Sequence, residues 1–155
     1  MWQGKVHSIY ITPTAGDPTQ PVEQVHAVPS MGLQGDRHFG PSEKKRPGGG
    51  RDITLIALED IQAIVEETGI QFTPADARRN IVTQGLALND LVGCEFFVGG
   101  VALRGVRLCE PCQHLASLTD ARLLPALVHR GGLRADIINE GDIRVGDLIT
   151  SDNKV

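Results

Sequence analysis

Glu95-Phe96-Phe97-Val98-Gly99-Gly100-Val101-Ala102-Leu103-Arg104-Gly105-Val106-Arg107-Leu108 is the stretch that decides how this chain folds. Two β-prone runs flank a Gly-Gly pair, the pattern of two antiparallel strands joined by a tight turn. We read Glu95 to Val98 and Val101 to Leu108 as that hairpin. Working back from it, Leu88 to Leu91 makes a helical turn before Gly93, and Asn80 to Thr83 is a brief strand. Asp52 to Ala57 reads as a short apolar strand running directly into a helix over Leu58 to Thr68. In that helix Leu58, Ile61, Ile64 and Val65 share one face, and Gly69 supplies the stop. Gly4 to Ile11 and Val22 to Val28 read as strands on either side of a Pro/Gly/Asp turn. Met31 to Gly50 has glycine clusters and no periodicity, so it is expected to be a long loop, and such loops are usually functional or mobile. Working forward, short helices are expected from about Pro111 and over Arg122 to Val128. Strands near Leu133 to Ile138 and Asp147 to Thr150 close the chain, with Asn139-Glu140-Gly141-Asp142 as the turn between them. Eighteen glycines punctuating many short strands predict a mostly β fold, a barrel or sandwich with a few short helices attached. Alternating βα units are missing, which argues against a doubly wound parallel sheet. No repeat or linker is visible, so residues 1–155 read as one domain.

Composition narrows the function. The chain is 41% hydrophobic but only 4% aromatic, so its core must rest on Val, Ile, Leu and Ala. A net charge of −4 disfavours general nucleic-acid binding. No apolar run is long enough for a membrane span, and Met1 to Tyr10 lacks the pattern of a secretory signal. We therefore expect a cytoplasmic protein with no nucleic-acid or membrane partner. The three cysteines, Cys94, Cys109 and Cys112, are an odd number in such a chain and read as reduced thiols rather than a disulfide framework. The cations are lopsided, eleven Arg against four Lys. Arginine suits bidentate recognition of phosphate and carboxylate. Several sit beside glycines or one another, in Gly35-Asp36-Arg37, Arg78-Arg79-Asn80 and Arg130-Gly131-Gly132-Leu133-Arg134. A local anion site and scattered structural ion pairs both fit that pattern. Lys44 to Gly50 reads as a flap over something anionic or as a solvated loop.

The sharpest chemical feature is Leu108-Cys109-Glu110-Pro111-Cys112-Gln113-His114. If Pro111 opens a helix, Cys112 falls in its first turn, where free N–H groups and the dipole favour a thiolate. Such a position can bring a cysteine pKa from about 8.5 to roughly 3.5–7.5. A thiolate there could act as nucleophile, persulfide carrier or soft-metal ligand. Three other readings stand beside it. The cysteines could simply pack. Cys94, Cys109, Cys112 and His114 could hold zinc, although the second half of an ordinary zinc spacing is missing. Cys-x-Pro-Cys could be a redox pair, although its βαβ frame is absent. His38 lies in a polar loop and His129 beside Arg130, whereas His7 and His26 read as ordinary strand residues. Gly48 to Gly50 do not continue into Gly-Lys-Ser/Thr, so there is no nucleotide P-loop.

Taken in order, these motifs resemble the MOSC family, named for the C-terminal domain of molybdenum cofactor sulfurase. The resemblance is carried by Gly35-Asp36-Arg37-His38, Arg78-Arg79-Asn80-Ile81, Leu91-Val92-Gly93, Cys109-Glu110-Pro111-Cys112, Arg130 to Ala135, and Gly141 to Asp147. It implies a closed, mostly antiparallel β-barrel with peripheral helices and a site for the molybdenum cofactor (molybdopterin). Cys112 matches the cysteine that family members share better than Cys109 does. In the amidoxime-reducing relatives that cysteine is the thiolate ligand of molybdenum. Those enzymes reduce N-hydroxylated compounds with electrons from a separate electron-donor protein. In the sulfurases the domain presents sulfur instead. The extra domains of both groups are missing here, which points to the small stand-alone class. The resemblance thus implies a reductase acting on a small-molecule substrate. The alternative it implies is a persulfide carrier or cofactor-delivery module working with a sulfur donor or acceptor protein. Catalytic candidates are Cys112 and Cys109, with Cys112 as metal ligand. Arg37, His38, Arg78, Arg79, Asn80, Arg130 and Arg134 are the candidates for holding the cofactor's phosphate and pterin. For each arginine the competing role is an ion pair with Asp36, Asp76 or Asp136.

Overall fold

A computed structural model describes residues 3–41, 48–109, 125 and 129–151. In chain order the elements are β1 (Gln3–Ile11), β2 (Gln20–Val22), β3 (Gln24–Val28), β4 (Gly32–Leu33), β5 (Ile53–Ala57), α1 (Leu58–Thr68), β6 (Ile81–Gln84), a 3-10 turn (Leu88–Leu91), β7 (Glu95–Val98), β8 (Val101–Leu108), β9 (Leu133–Ile137), β10 (Gly141–Arg144) and β11 (Leu148–Thr150). The fold is mostly β, as the glycine-punctuated strands predict. Helices expected from Pro111 and over Arg122 to Val128 lie outside the described residues, apart from Pro125.

Seven strands close a barrel in the order β1-β6-β5-β9-β8-β7-β11 and back to β1. The β7–β8 hairpin has the expected register, with Val98 opposite Val101 and Glu95 opposite Arg104. Period-two alternation decides which face of each strand is buried. Ile53 and Leu55, Phe96 and Val98, Val101 and Leu103, and Leu133, Ala135 and Ile137 all enter one core cluster. The residues between them face outward. All the barrel pairings are antiparallel except β5 with β6, which is parallel. A parallel pair needs a crossover, and α1 lies on it.

Helix α1 follows β5 with no side-chain cap, but Glu59 and Asp60 occupy its first turn, where negative charge complements the dipole. Gly69 ends it at φ 69° and donates its N–H to the Val65 carbonyl. Leu58, Ile61 and Ile64 pack on Ile56, Phe72, Ala77 and Val82 in a second cluster on the outside of the barrel. Burying Ile61 and Ile64 contributes about 1.5–3 kcal/mol each. Val65, expected on the same face, is 36% exposed, so the contact ends at Ile64.

Three expectations are corrected. Val22 to Val28 is not one strand. It divides at Glu23 into β2, which lies on the outer end of β1, and β3, which joins a separate sheet. Pro21 fits that edge position because it has no N–H to give a central ladder. Residues 139–142 are not simply a turn: Gly141 and Asp142 already pair with Ala27 and His26 as the start of β10. The segment Met31 to Gly50 is not all loop, because Gly32–Leu33 forms β4 against β3. The resulting small sheet, β10-β3-β4, adds Val25, Ala27, Leu33 and Ile143 to the barrel core.

Candidate anion site beside Cys109

The site is built on the outer face of β5, β8 and β9. Thr54 and Arg134 point outward because their neighbours Ile53, Leu55, Leu133 and Ala135 fill the core. Simple alternation from Val101 and Leu103 would send Arg107 into the barrel. A register shift between Gly105 and Arg107 prevents this and sets Arg107 opposite Arg134. Bulges of this kind re-aim a side chain at the cost of local ladder regularity. Two like charges directly opposite each other on adjacent strands are destabilising, so the arrangement asks for an anion.

A third guanidinium, Arg51, joins them from the segment before β5. Its pKa is lowered by partial desolvation first and then by the charges of Arg134 and Arg107, with Cys109 acting in the opposite direction. The Asp136 carboxylate is committed to backbone amides. Asp136 accepts hydrogen bonds from Gly48 N and Gly50 N, both at 2.7 Å. Asp52 accepts from Ser30 N at 3.2 Å and Ile137 N at 3.0 Å. Arg107 donates through Nη1 to the Gly49 carbonyl at 3.1 Å. Among the described residues, neither Arg51 nor Arg134 has a carboxylate within ion-pair distance.

Cys109 follows β8 and is fully buried. Its N–H donates to the Gly132 carbonyl at 2.7 Å. An added Cβ on Gly131 would overlap the Cys109 carbonyl oxygen, and one on Gly132, at φ 103°, would overlap the Leu55 carbonyl. Only glycine permits this approach. Arg79 donates through Nε to the Gly131 carbonyl at 2.8 Å, fixing the turn that leads into Arg134 and against which Cys109 is held.

The remaining sequence-derived candidates divide. Asn80 takes an internal role: Oδ1 accepts from Thr54 N and Oγ1, and Nδ2 donates to the Tyr10 carbonyl. Arg130 leaves the site for α1, with Nη1 3.0 Å from Glu67 Oε2, a partner outside the three acids considered from sequence. Arg37, His38 and Arg78 belong to a different place, past the end of β1, where Arg37 and Arg78 share one electrostatic environment. Cys112 lies outside the described residues, as does His114. Among the described residues no three His, Cys, Asp or Glu gather as metal ligands. No helix there is long and apolar enough to cross a membrane.

Arg51 and Arg107 were missed by sequence reasoning. Arg107 is hidden by the bulge. Arg51 had a visible signal, since it directly follows the basic, glycine-rich stretch from Lys44 to Gly50 that suggested a cover for an anion. His26 was read as an ordinary strand residue, yet its ring bridges two carboxylates, Nδ1 to Asp142 at 2.7 Å and Nε2 to Glu140 at 2.6 Å.

Comparison with solved structures agrees with this architecture. The YuaD protein from Bacillus subtilis aligns with a TM-score of 0.80 at 20% identity, covering 96% of this chain and 97% of that one. YiiM from Geobacillus stearothermophilus gives 0.71 at 20% identity, covering 95% of this chain and 74% of that one. YiiM from Escherichia coli gives 0.67 at 19% identity, covering 97% and 71%. At such identities the likeness is one of fold. No curated protein matches the sequence significantly. The model of the MOSC domain matches residues 34–150, which takes in the barrel strands from β5 to β11, the bulge and all three clustered arginines, so this chain belongs to the MOSC domain family.

Proposed function

We propose that the domain binds the molybdenum cofactor and reduces N-hydroxylated small molecules with electrons from a separate protein. The observation that carries the reading is the Arg51–Arg107–Arg134 cluster, three guanidinium groups beside Cys109, with both oxygens of the neighbouring Asp136 occupied by backbone amides. The residues fit the group on chemical grounds. Planar guanidinium forks complement a phosphate, and an anion would relieve the repulsion between Arg107 and Arg134. The cofactor, when bound, supplies the redox metal. The chain's own residues hold and orient it. Arg51, Arg107 and Arg134 take the phosphate, Arg79 holds the Gly131 turn, and Cys112 is the thiolate for the metal, as the family resemblance implies. Reduction of an N–OH group to N–H consumes two electrons and two protons and releases water, so an external donor is required.

The test is molybdenum and pterin analysis of protein purified from cells that make the cofactor, with Arg51→Gln and Arg134→Gln in parallel. Roughly stoichiometric molybdenum and pterin are expected in the parent. Each variant should retain cofactor about 10- to 100-fold less tightly, the range for one charge-assisted hydrogen bond, while the cofactor-free forms of parent and variant melt at the same temperature. Protein free of both, but carrying persulfide sulfur on Cys112, would replace this reading with the sulfur-carrier one. Full retention in both variants would remove the phosphate from this cluster.

A further inference from the structure

Residues 129–132 form the turn that enters β9, and each of them is held by a group from elsewhere in the chain. Asn89 Nδ2 donates to the His129 carbonyl at 2.9 Å. Arg130 Nη1 lies 3.0 Å from Glu67 Oε2, a charge contact rather than an aligned hydrogen bond. Arg79 Nε donates to the Gly131 carbonyl, and Cys109 N to the Gly132 carbonyl. The turn also contains a strained residue. His129 has φ 61°, a left-handed conformation that costs a non-glycine side chain. Such conformations persist where the surroundings over-determine them, and outside contacts on consecutive residues do so here.

Asn89 and Glu67 both stand on rigid elements. Asn89 belongs to the 3-10 turn, whose Leu88 and Leu91 are buried in the barrel core. The same segment is locked to β8 at Gly105: Gly93 N donates to the Gly105 carbonyl at 2.8 Å, and Gly105 N to the Cys94 carbonyl at 2.9 Å. A Cβ on Gly105 would overlap the Leu91 carbonyl oxygen, so only glycine permits this approach. Gly105 is also where the register shift that turns Arg107 outward begins. One short segment therefore supports both the bulge that presents Arg107 and, through Asn89, the turn that leads to Arg134. Glu67 lies in the last turn of α1, which has no basic residue of its own. A carboxylate there faces the negative end of the helix dipole, and the Arg130 guanidinium supplies the cation the helix lacks. Burial raises the Asp60 pKa and the Arg130 charge opposes it, so Arg130 lies along the helix face that residues 60 and 67 share.

We propose that Asn89 and Glu67 are positioning residues of the anion site: by fixing residues 129–132 from outside, they set where Arg134 stands relative to Arg107. The proposal rests on the reading of the Arg51–Arg107–Arg134 cluster as an anion site. Neither residue touches the ligand. Asn89 acts through the His129 carbonyl, and Glu67 through the Arg130 guanidinium.

The test is a nuclear magnetic resonance titration of the Arg134 side-chain Nε–H with inorganic phosphate, in the full chain and in its Asn89→Ala, Glu67→Ala and Glu67→Gln variants. Phosphate should bind roughly three- to tenfold more weakly in Asn89→Ala, the range for one hydrogen bond, and more weakly in Glu67→Ala as well. The direction in Glu67→Ala separates positioning from charge. Deleting a carboxylate and freeing a guanidinium makes the surroundings more positive, so electrostatics alone would tighten phosphate binding. Glu67→Gln keeps an acceptor for Arg130 and should fall between the parent and Glu67→Ala. Amide exchange at Cys109, whose N–H is bound to the Gly132 carbonyl, should quicken in both alanine variants while the amides of β5 and β6 keep their parent rates. Parent-like or tighter phosphate binding in either alanine variant would overturn the proposal and leave the anion site standing. Equal quickening at Cys109 and throughout β5 and β6 would also overturn it, by showing that these side chains serve the fold as a whole. A parent that does not bind phosphate at Arg134 would remove the anion site itself, and with it any residue that positions it.

Discussion

Asp136 is where stability and site geometry meet, and replacing it separates them. Its side chain is 7% exposed, and its two oxygens receive Gly48 N and Gly50 N at 2.7 Å each. Hydrogen bonds to a charged acceptor contribute about 1.5–3 kcal/mol each. Asp136→Ala removes both and leaves the Gly50 amide buried without a partner, so about 3–6 kcal/mol of stability should be lost. For a domain of this size 1 kcal/mol corresponds to roughly 2–4 °C in Tm, which predicts a fall on the order of 6–24 °C. Asp136→Asn keeps one acceptor but sets an NH2 group against an amide donor, so its loss should be about half as large. Urea unfolding gives the free energy, and amide hydrogen exchange at Gly48 and Gly50 reports the bonds themselves. Arg51 follows Gly50 directly, so cofactor retention should fall along with stability in Asp136→Ala. In Arg51→Gln it should fall alone. Parent-like stability and unchanged protection at Gly48 and Gly50 in Asp136→Ala would refute the role given to this carboxylate.

Two further expectations concern the small sheet and the thiols. The His26 pKa is raised above 6.5 by its hydrogen bonds to Glu140 and then Asp142. Its contribution to stability is therefore fully present below about pH 6.5 and is lost as the pH rises through the raised value. Melting curves between pH 5.5 and 8.5 should show that slope, and His26→Gln should flatten it. An identical slope in the variant would assign it to other groups. Thiol labelling near neutral pH should modify Cys94, which is exposed, and leave Cys109, which is buried. In a Cys94→Ser background the fast-reacting thiol should be Cys112, read by mass spectrometry. Rapid labelling of Cys109 there would contradict its burial.

How much of this was legible in the sequence depended on how local the cause was. The β7–β8 hairpin is encoded by two adjacent runs and a Gly-Gly pair, and α1 by its own period and by Gly69, so both read directly. Strand β10 did not, because its partner β3 is more than a hundred residues away. The Gly141–Ala27 and Asp142–His26 pairs leave no trace within a short window. The split at Glu23 has the same origin, since β2 and β3 serve different sheets. In the site, Arg134 was legible as an arginine two residues past a Gly-Gly pair. Arg107 was not, because period-two counting is correct everywhere in β8 except at the bulge. The role of Asn80 could not be read either: an asparagine beside two arginines looks like a ligand-binding residue until Thr54 and Tyr10 are brought to it by the barrel.

An acidic chain can still hold an anion because the relevant charge is local. At physiological ionic strength exposed charges farther apart than about 8 Å are largely screened, so the net charge of −4 says little about the face carrying Arg51, Arg107 and Arg134. Three features of the fold set the potential there, and each has a cost. The bulge in β8 interrupts a ladder to turn Arg107 outward. Gly131 and Gly132 give up side chains so that Cys109 and Leu55 can approach the turn closely. Asp136 turns both its oxygens to backbone amides instead of to the arginines beside it. A fold selected for stability alone would pair that carboxylate with the guanidinium groups and keep the ladder regular. That all three exceptions converge on one face is the physical reason for placing a ligand there.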